Sequence, residues 1–102
     1  MNGPRQWSHL EHLCSLARLN GRLALWLFGS ALSSETPQDL DILLIYTDRN
    51  DVVRLRNQIQ SQDLEPPFHI IAMTHEEERF YRFIADVGAI RLVEPSPASN
   101  KL

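Results

Sequence analysis

The chain reads as an α+β domain: a small mixed β-sheet with helices packed against it. Three observations predict this. Residues 23–28 and 40–46 are short apolar runs of strand length. The flanking segments repeat apolar residues at helical spacing. The resulting order is helix, strand, strand, helix, strand, helix and a last short strand, which fits helices layered on a mixed sheet. A chain of 102 residues is one domain's worth, large enough for a single modest core. That domain is expected over residues 1–93, followed by a mobile tail over 94–102.

Element by element, Trp7, Leu10, Leu13, Cys14 and Ala17 recur at spacings of three and four, which predicts an amphipathic helix over 6–19. Asn20 and Gly21 end it, because both tolerate the left-handed backbone common just past a helix. The run 23–28 predicts a central strand stopping at Gly29-Ser30, and the small and polar residues 31–38 a loop opening with one helical turn. A second buried strand is expected from Asp39 or Leu40 to Tyr46. Residues 47–50 make a turn, and Val52, Leu55 and Ile59 form one stripe of a helix over 51–62 whose other residues are polar.

Pro66-Pro67 breaks the chain before a third strand over 68–74, apolar and rich in β-branched residues. Thr74, with Glu77 three residues on, is a capping-box pattern opening a helix that runs to Val87 and ends at Gly88. Glu76, Glu77 and Glu78 then suit the positive end of that helix. The stripe Phe80, Tyr81 and Phe83 is expected in the core, and Trp7 and Trp26 are read as packing residues. Residues 89–93 predict a short edge strand.

Composition excludes several function classes. Hydrophobic residues make up 43% and charged residues 23% of the chain, the balance of a folded protein. A net charge of −3 without clustered Lys or Arg argues against a surface built to hold a nucleic-acid backbone. The single cysteine, Cys14, rules out an internal disulfide and a thiolate metal cluster, and fits a reducing compartment. With no leader-like start and no apolar run of about 18 residues, a cytoplasmic protein without a membrane partner is expected.

The chemistry-bearing residues gather at two strand ends. Side chains alternate along a strand, so Asp39 and Asp41 project to one side where the second strand starts. Two carboxylates beside an apolar strand repel each other and lose hydration unless a cation sits between them. Hard oxygen ligands of this kind suit Mg²⁺ or Mn²⁺, which complete their shells with water and phosphate oxygens. At the end of the first strand, Gly29 lets the backbone approach a ligand closely, and Ser30 offers a hydroxyl and an N–H to a phosphate oxygen. With the two strands adjacent, both halves face one cavity. This is the apparatus of nucleotidyl transfer.

His69, at the head of the third strand, has two readings: a hydrogen-bonded structural residue, which is favoured, or a base for an acceptor hydroxyl. His9, His12 and His75 lack metal-ligand spacing and carry no assigned role.

The motif Leu27-Phe28-Gly29-Ser30, eight residues, then Asp39-Leu40-Asp41-Ile42-Leu43-Leu44 resembles the signature of the DNA polymerase β-like nucleotidyltransferases, and more closely that of the minimal nucleotidyltransferases. The resemblance implies a nucleotidyltransferase-like fold, metal ions on Asp39 and Asp41, and nucleotide phosphates on Gly29 and Ser30. It also implies an Arg after Gly-Ser, where this chain has Ala31, and a third-strand carboxylate, where it has His69. The implied activity is transfer of a nucleoside monophosphate from a nucleoside triphosphate to a hydroxyl acceptor.

Members of the family modify aminoglycosides, proteins or nucleic acids, and some act as antitoxins on a HEPN-type toxin. This short chain best fits the last kind, since such an acceptor brings its own surface. The competing expectations are a catalytically degenerate module that binds a nucleotide or a partner protein, and a homodimer formed through an edge strand.

Overall fold

The structure is a computed structural model and describes residues 5–32, 40–62 and 68–95; the side chains of residues 5–7, Trp7 among them, lie outside that description. Asp39 and residues 96–102 of the expected tail also fall outside the described residues.

The expected α+β architecture is present. Helix α1 (Arg5–Asn20) leads through Gly21, at φ 81°, into strand β1 (Ala24–Phe28) and a 3-10 turn over Gly29–Leu32. Strand β2 (Leu40–Tyr46), helix α2 (Arg49–Ser61), strand β3 (Phe68–Thr74), helices α3 (His75–Tyr81) and α4 (Phe83–Val87), and strand β4 (Ile90–Val93) follow. The four strands form one mixed sheet in the order β3-β2-β1-β4. Strand β1 runs antiparallel to both β2 and β4, and β3 lies parallel to β2. The two apolar runs thus take the two central positions, where their backbone groups are paired on both sides.

Strand alternation divides the side chains between two faces. On one face Leu25, Leu27, Leu40, Ile42 and Leu44 meet Leu10, Leu13, Cys14, Leu16 and Ala17 of α1 and Val52 and Leu55 of α2. This is the main core. On the other, Ala24, Leu43 and Ile45 are buried, while Trp26, Phe28, Ile71 and Met73 are half-buried beneath Phe83 and Ile84 of α4. The two faces are therefore unequally covered.

Two helices differ from their sequence reading. Helix α2 begins at Arg49 because Asp48 caps it, its carboxylate accepting the Asn50 N–H at 2.9 Å. Its Asp51, expected on the polar side, is fully buried and ion-paired with Arg22 and Arg54. The helix expected to run unbroken to Val87 opens with its capping box at Thr74 and Glu77, but breaks at Arg82, which adopts φ 55° and ψ 40°. The break turns Phe83 and Ile84 onto the sheet. It leaves Phe80 and Tyr81, expected in the core, 79% and 59% exposed and in edge-to-face contact with each other. Among the described residues no helix is long and apolar enough to cross a membrane.

Candidate functional site

Strand register brings the candidate residues together. Phe28, the last residue of β1, pairs with Asp41 of β2, and Asp41 pairs in turn with His69 of β3. The end of β1 and the starts of β2 and β3 therefore lie side by side at one end of the sheet. By alternation, Asp41 shares the less covered face with Leu43 and Ile45.

Gly29 follows Phe28 with φ 81°, a conformation that glycine adopts without steric cost. A Cβ there would fall 2.1 Å from Oδ2 of Asp41 and 3.0 Å from its Cγ. The carboxylate thus occupies the space that a side chain at position 29 would take. The Gly-Ser turn and the acidic strand end were expected to face one cavity, and here Gly29 and Asp41 are packed directly against each other. Ser30 is exposed in the 3-10 turn, and Ala31 behind it is buried.

The other oxygen of Asp41 meets His69, with Nδ1 3.1 Å from Oδ1; the Asp41 side chain is 20% exposed and that of His69 70%. An ionised carboxylate only accepts hydrogen bonds, so this contact needs the imidazole proton on Nδ1. In the neutral imidazole with that tautomer, Nε2 carries the lone pair. His69 has the hydrogen bond of the structural reading but not the burial, and its geometry is that of a base oriented by a carboxylate. The sequence pattern alone contains no sign of this pair, which exists because β2 and β3 run parallel in this register.

Asp41 suits a divalent ion as a single anchoring carboxylate at a partly open strand end, the mode in which Mg²⁺ is usually held, with water and phosphate oxygens filling the remaining positions. Among the described residues, no group of three or more His, Cys, Asp or Glu side chains is placed to hold a metal ion. Asp39, the expected second ligand, lies outside the described residues. Cys14 is in the core, where burial pushes its thiol pKa up against the lowering effect of Arg18, with Glu11 adding to the rise. It has no part in the site.

The chain matches no protein-family model, and no curated protein matches it in sequence.

Proposed function

We propose that the protein is a nucleotidyltransferase of the minimal kind, moving a nucleoside monophosphate from a nucleoside triphosphate to a hydroxyl acceptor. The observation that carries this reading is the meeting of Gly29, Asp41 and His69 at one sheet end, with the Asp41 carboxylate in the space of the absent Gly29 side chain. Gly29 lets the backbone come close to phosphate oxygens, and the exposed Ser30 supplies a hydroxyl and an N–H to hold them. Asp41, with Asp39, would hold Mg²⁺ or Mn²⁺, which when bound neutralises phosphate charge.

His69 Nε2 accepts the proton of the acceptor hydroxyl as its oxygen bonds to the α-phosphorus. The bond to the departing pyrophosphate breaks in the same displacement. Asp41 holds the imidazole in the tautomer this requires and stabilises the imidazolium that forms. We take the acceptor to be a partner protein, with a HEPN-type toxin, which the family resemblance implies, the leading case. A cytoplasmic setting goes with the use of nucleoside triphosphates.

The hydrogen bond of His69 to Oδ1 of Asp41 also favours a second reading, because it occupies an oxygen that a metal would use. On that reading the domain binds a nucleotide or a partner without transfer.

Thermal unfolding with each nucleoside triphosphate and Mg²⁺ or Mn²⁺ separates the alternatives, joined to an assay for label transferred from the α-phosphate. A triphosphate at 100 times its dissociation constant stabilises by about 2.7 kcal/mol and raises the midpoint of a domain this size by roughly ten degrees or more. We expect Asp41→Ala to abolish the metal-dependent part of that rise. His69→Ala is expected to keep the rise and lose transfer. Wild-type binding without transfer to any tested protein acceptor would support the binding module, and no rise with any triphosphate would sink the transferase reading and leave only the partner-binding form of the second.

A further inference from the structure

The break between α3 and α4 holds a conformation that its residue type disfavours. Arg82 is the one non-glycine residue with positive φ among the described residues, and an L side chain avoids this region because its Cβ crowds the following carbonyl. Two hydrogen bonds maintain it: Arg82 N–H to the carbonyl of Glu78 at 2.6 Å, and Ile84 N–H to the carboxylate of Glu78 at 2.9 Å. Around the break opens a surface cavity of about 490 Å³, lined by Glu78, Arg79, Arg82, Ile84 and Ala85. Strain of this kind persists where the surrounding structure enforces it, and it concentrates at ligand clamps and active sites.

The position of the break relates it to the candidate site. Phe83, the next residue, meets Phe28 edge-to-face with ring centroids 5.0 Å apart. Phe28 is the strand partner of Asp41 and directly precedes Gly29. Arg82 therefore directly precedes the residue that packs on the candidate site's own strand end, and Arg79 lies three residues earlier. Among the described residues neither guanidinium is ion-paired. Glu78, the one acid among the lining residues, has its carboxylate committed to Ile84 N–H. The position after Gly29-Ser30 holds Ala31, which is buried and uncharged, so the turn itself supplies no cation to a polyphosphate.

We propose that Arg82 and Arg79 form a polyphosphate clamp on the α3–α4 break, supplying from above the sheet the cationic contact that the Gly29-Ser30 turn lacks. The proposal rests on the nucleotidyltransferase reading and names the residues that give the site its preference for a triphosphate. Guanidinium suits this role through paired, charge-assisted N–H contacts to phosphate oxygens. The left-handed backbone at Arg82 sets the direction in which that side chain leaves the break.

The test measures affinity for ATP and for inorganic tripolyphosphate, each with Mn²⁺, in wild type, Arg82→Gly, Arg82→Lys, Arg79→Ala/Arg82→Gly and Asp41→Ala. Tripolyphosphate reads the phosphate contact without base or ribose. Glycine takes the left-handed conformation freely, so Arg82→Gly is expected to unfold no earlier than wild type while binding both ligands roughly tenfold more weakly. Arg82→Lys should keep part of the affinity, and the double variant should lose more than either change alone. If the wild type binds ATP and Asp41→Ala weakens it, but the arginine variants bind both ligands as wild type does, the clamp is overturned and the nucleotide reading stands. If the wild type binds neither ligand, both are overturned.

Discussion

At Gly29 the missing side chain decides where a charge can sit. Replacing it with Ala brings two costs: a left-handed backbone for an L residue, about 1–2 kcal/mol, and a methyl group 2.1 Å from Oδ2 of Asp41, which forces the carboxylate aside. We expect Gly29→Ala to lower stability by roughly 2 kcal/mol and to weaken metal-dependent nucleotide binding. Adding Asp41→Ala should restore part of the stability, because the methyl then meets no carboxylate. Denaturant unfolding of the four proteins in this cycle measures the coupling, and strictly additive losses would contradict the contact.

Gly29 and Asp41 could be singled out from the sequence because both stand at ends of apolar runs, where polar and flexible residues are conspicuous. The contact of His69 with Asp41 could not, since only strand register aligns positions 41 and 69. Nor does an arginine side chain signal in advance that position 82 will be left-handed.

Among the elements, the strands were the most legible, because continuous apolar runs bounded by Gly, Asp and Pro leave few alternatives. Strand β3 occupies the residues its composition predicts, and the capping box forms where Thr74 and Glu77 place it, with reciprocal contacts of 2.9 and 3.1 Å. Helix α2 shows what periodicity misses. Asp51 sits in its first turn as a charged residue beside the apolar stripe, yet it is fully buried, with Arg22 reaching it at 3.2 Å and Arg54 closing from the next turn. Arg22 is 29 residues away in sequence, so no local pattern announces this pair.

The network ties α2 to the segment that leads from α1 into β1. Asp51→Ala removes the buried carboxylate and a favourable charge at a helix N-terminus, but releases two half-exposed guanidinium groups that regain water. The net loss is expected near 2 kcal/mol, read from the denaturant midpoint. Arg22→Ala should cost less than Asp51→Ala, since Arg54 still pairs with the carboxylate. The reverse ranking would show that Arg22 carries the network.

For the molecule as a whole, the sheet has one well-packed face and one sparsely covered face, and the candidate site belongs to the second. Helices α1 and α2 seal the first, where Leu44 is fully buried. The second is covered by the short α3 and α4, with Phe83 and Ile84 of α4 over a half-buried group of Trp26, Phe28, Ile71 and Met73 among the described residues. The Arg91 guanidinium stands 5.6 Å from the centre of the Trp26 ring and shelters part of this surface. Such a division lets stability reside on one side while the other stays open to a ligand or a partner protein.

It also predicts unequal costs for truncation. Leu44→Ala should destabilise by about 3–5 kcal/mol, a large share of the 5–15 kcal/mol typical of a whole domain. Met73→Ala, already partly in contact with water, should cost about 1 kcal/mol. Denaturant titrations at two protein concentrations read both effects, with the slope expected to stay at its wild-type value. Equal losses that do not depend on concentration would contradict the asymmetry. A Met73→Ala loss that shrinks as the protein is diluted would instead show the open face covered by a second copy of the chain, since only an associated state gains stability with concentration.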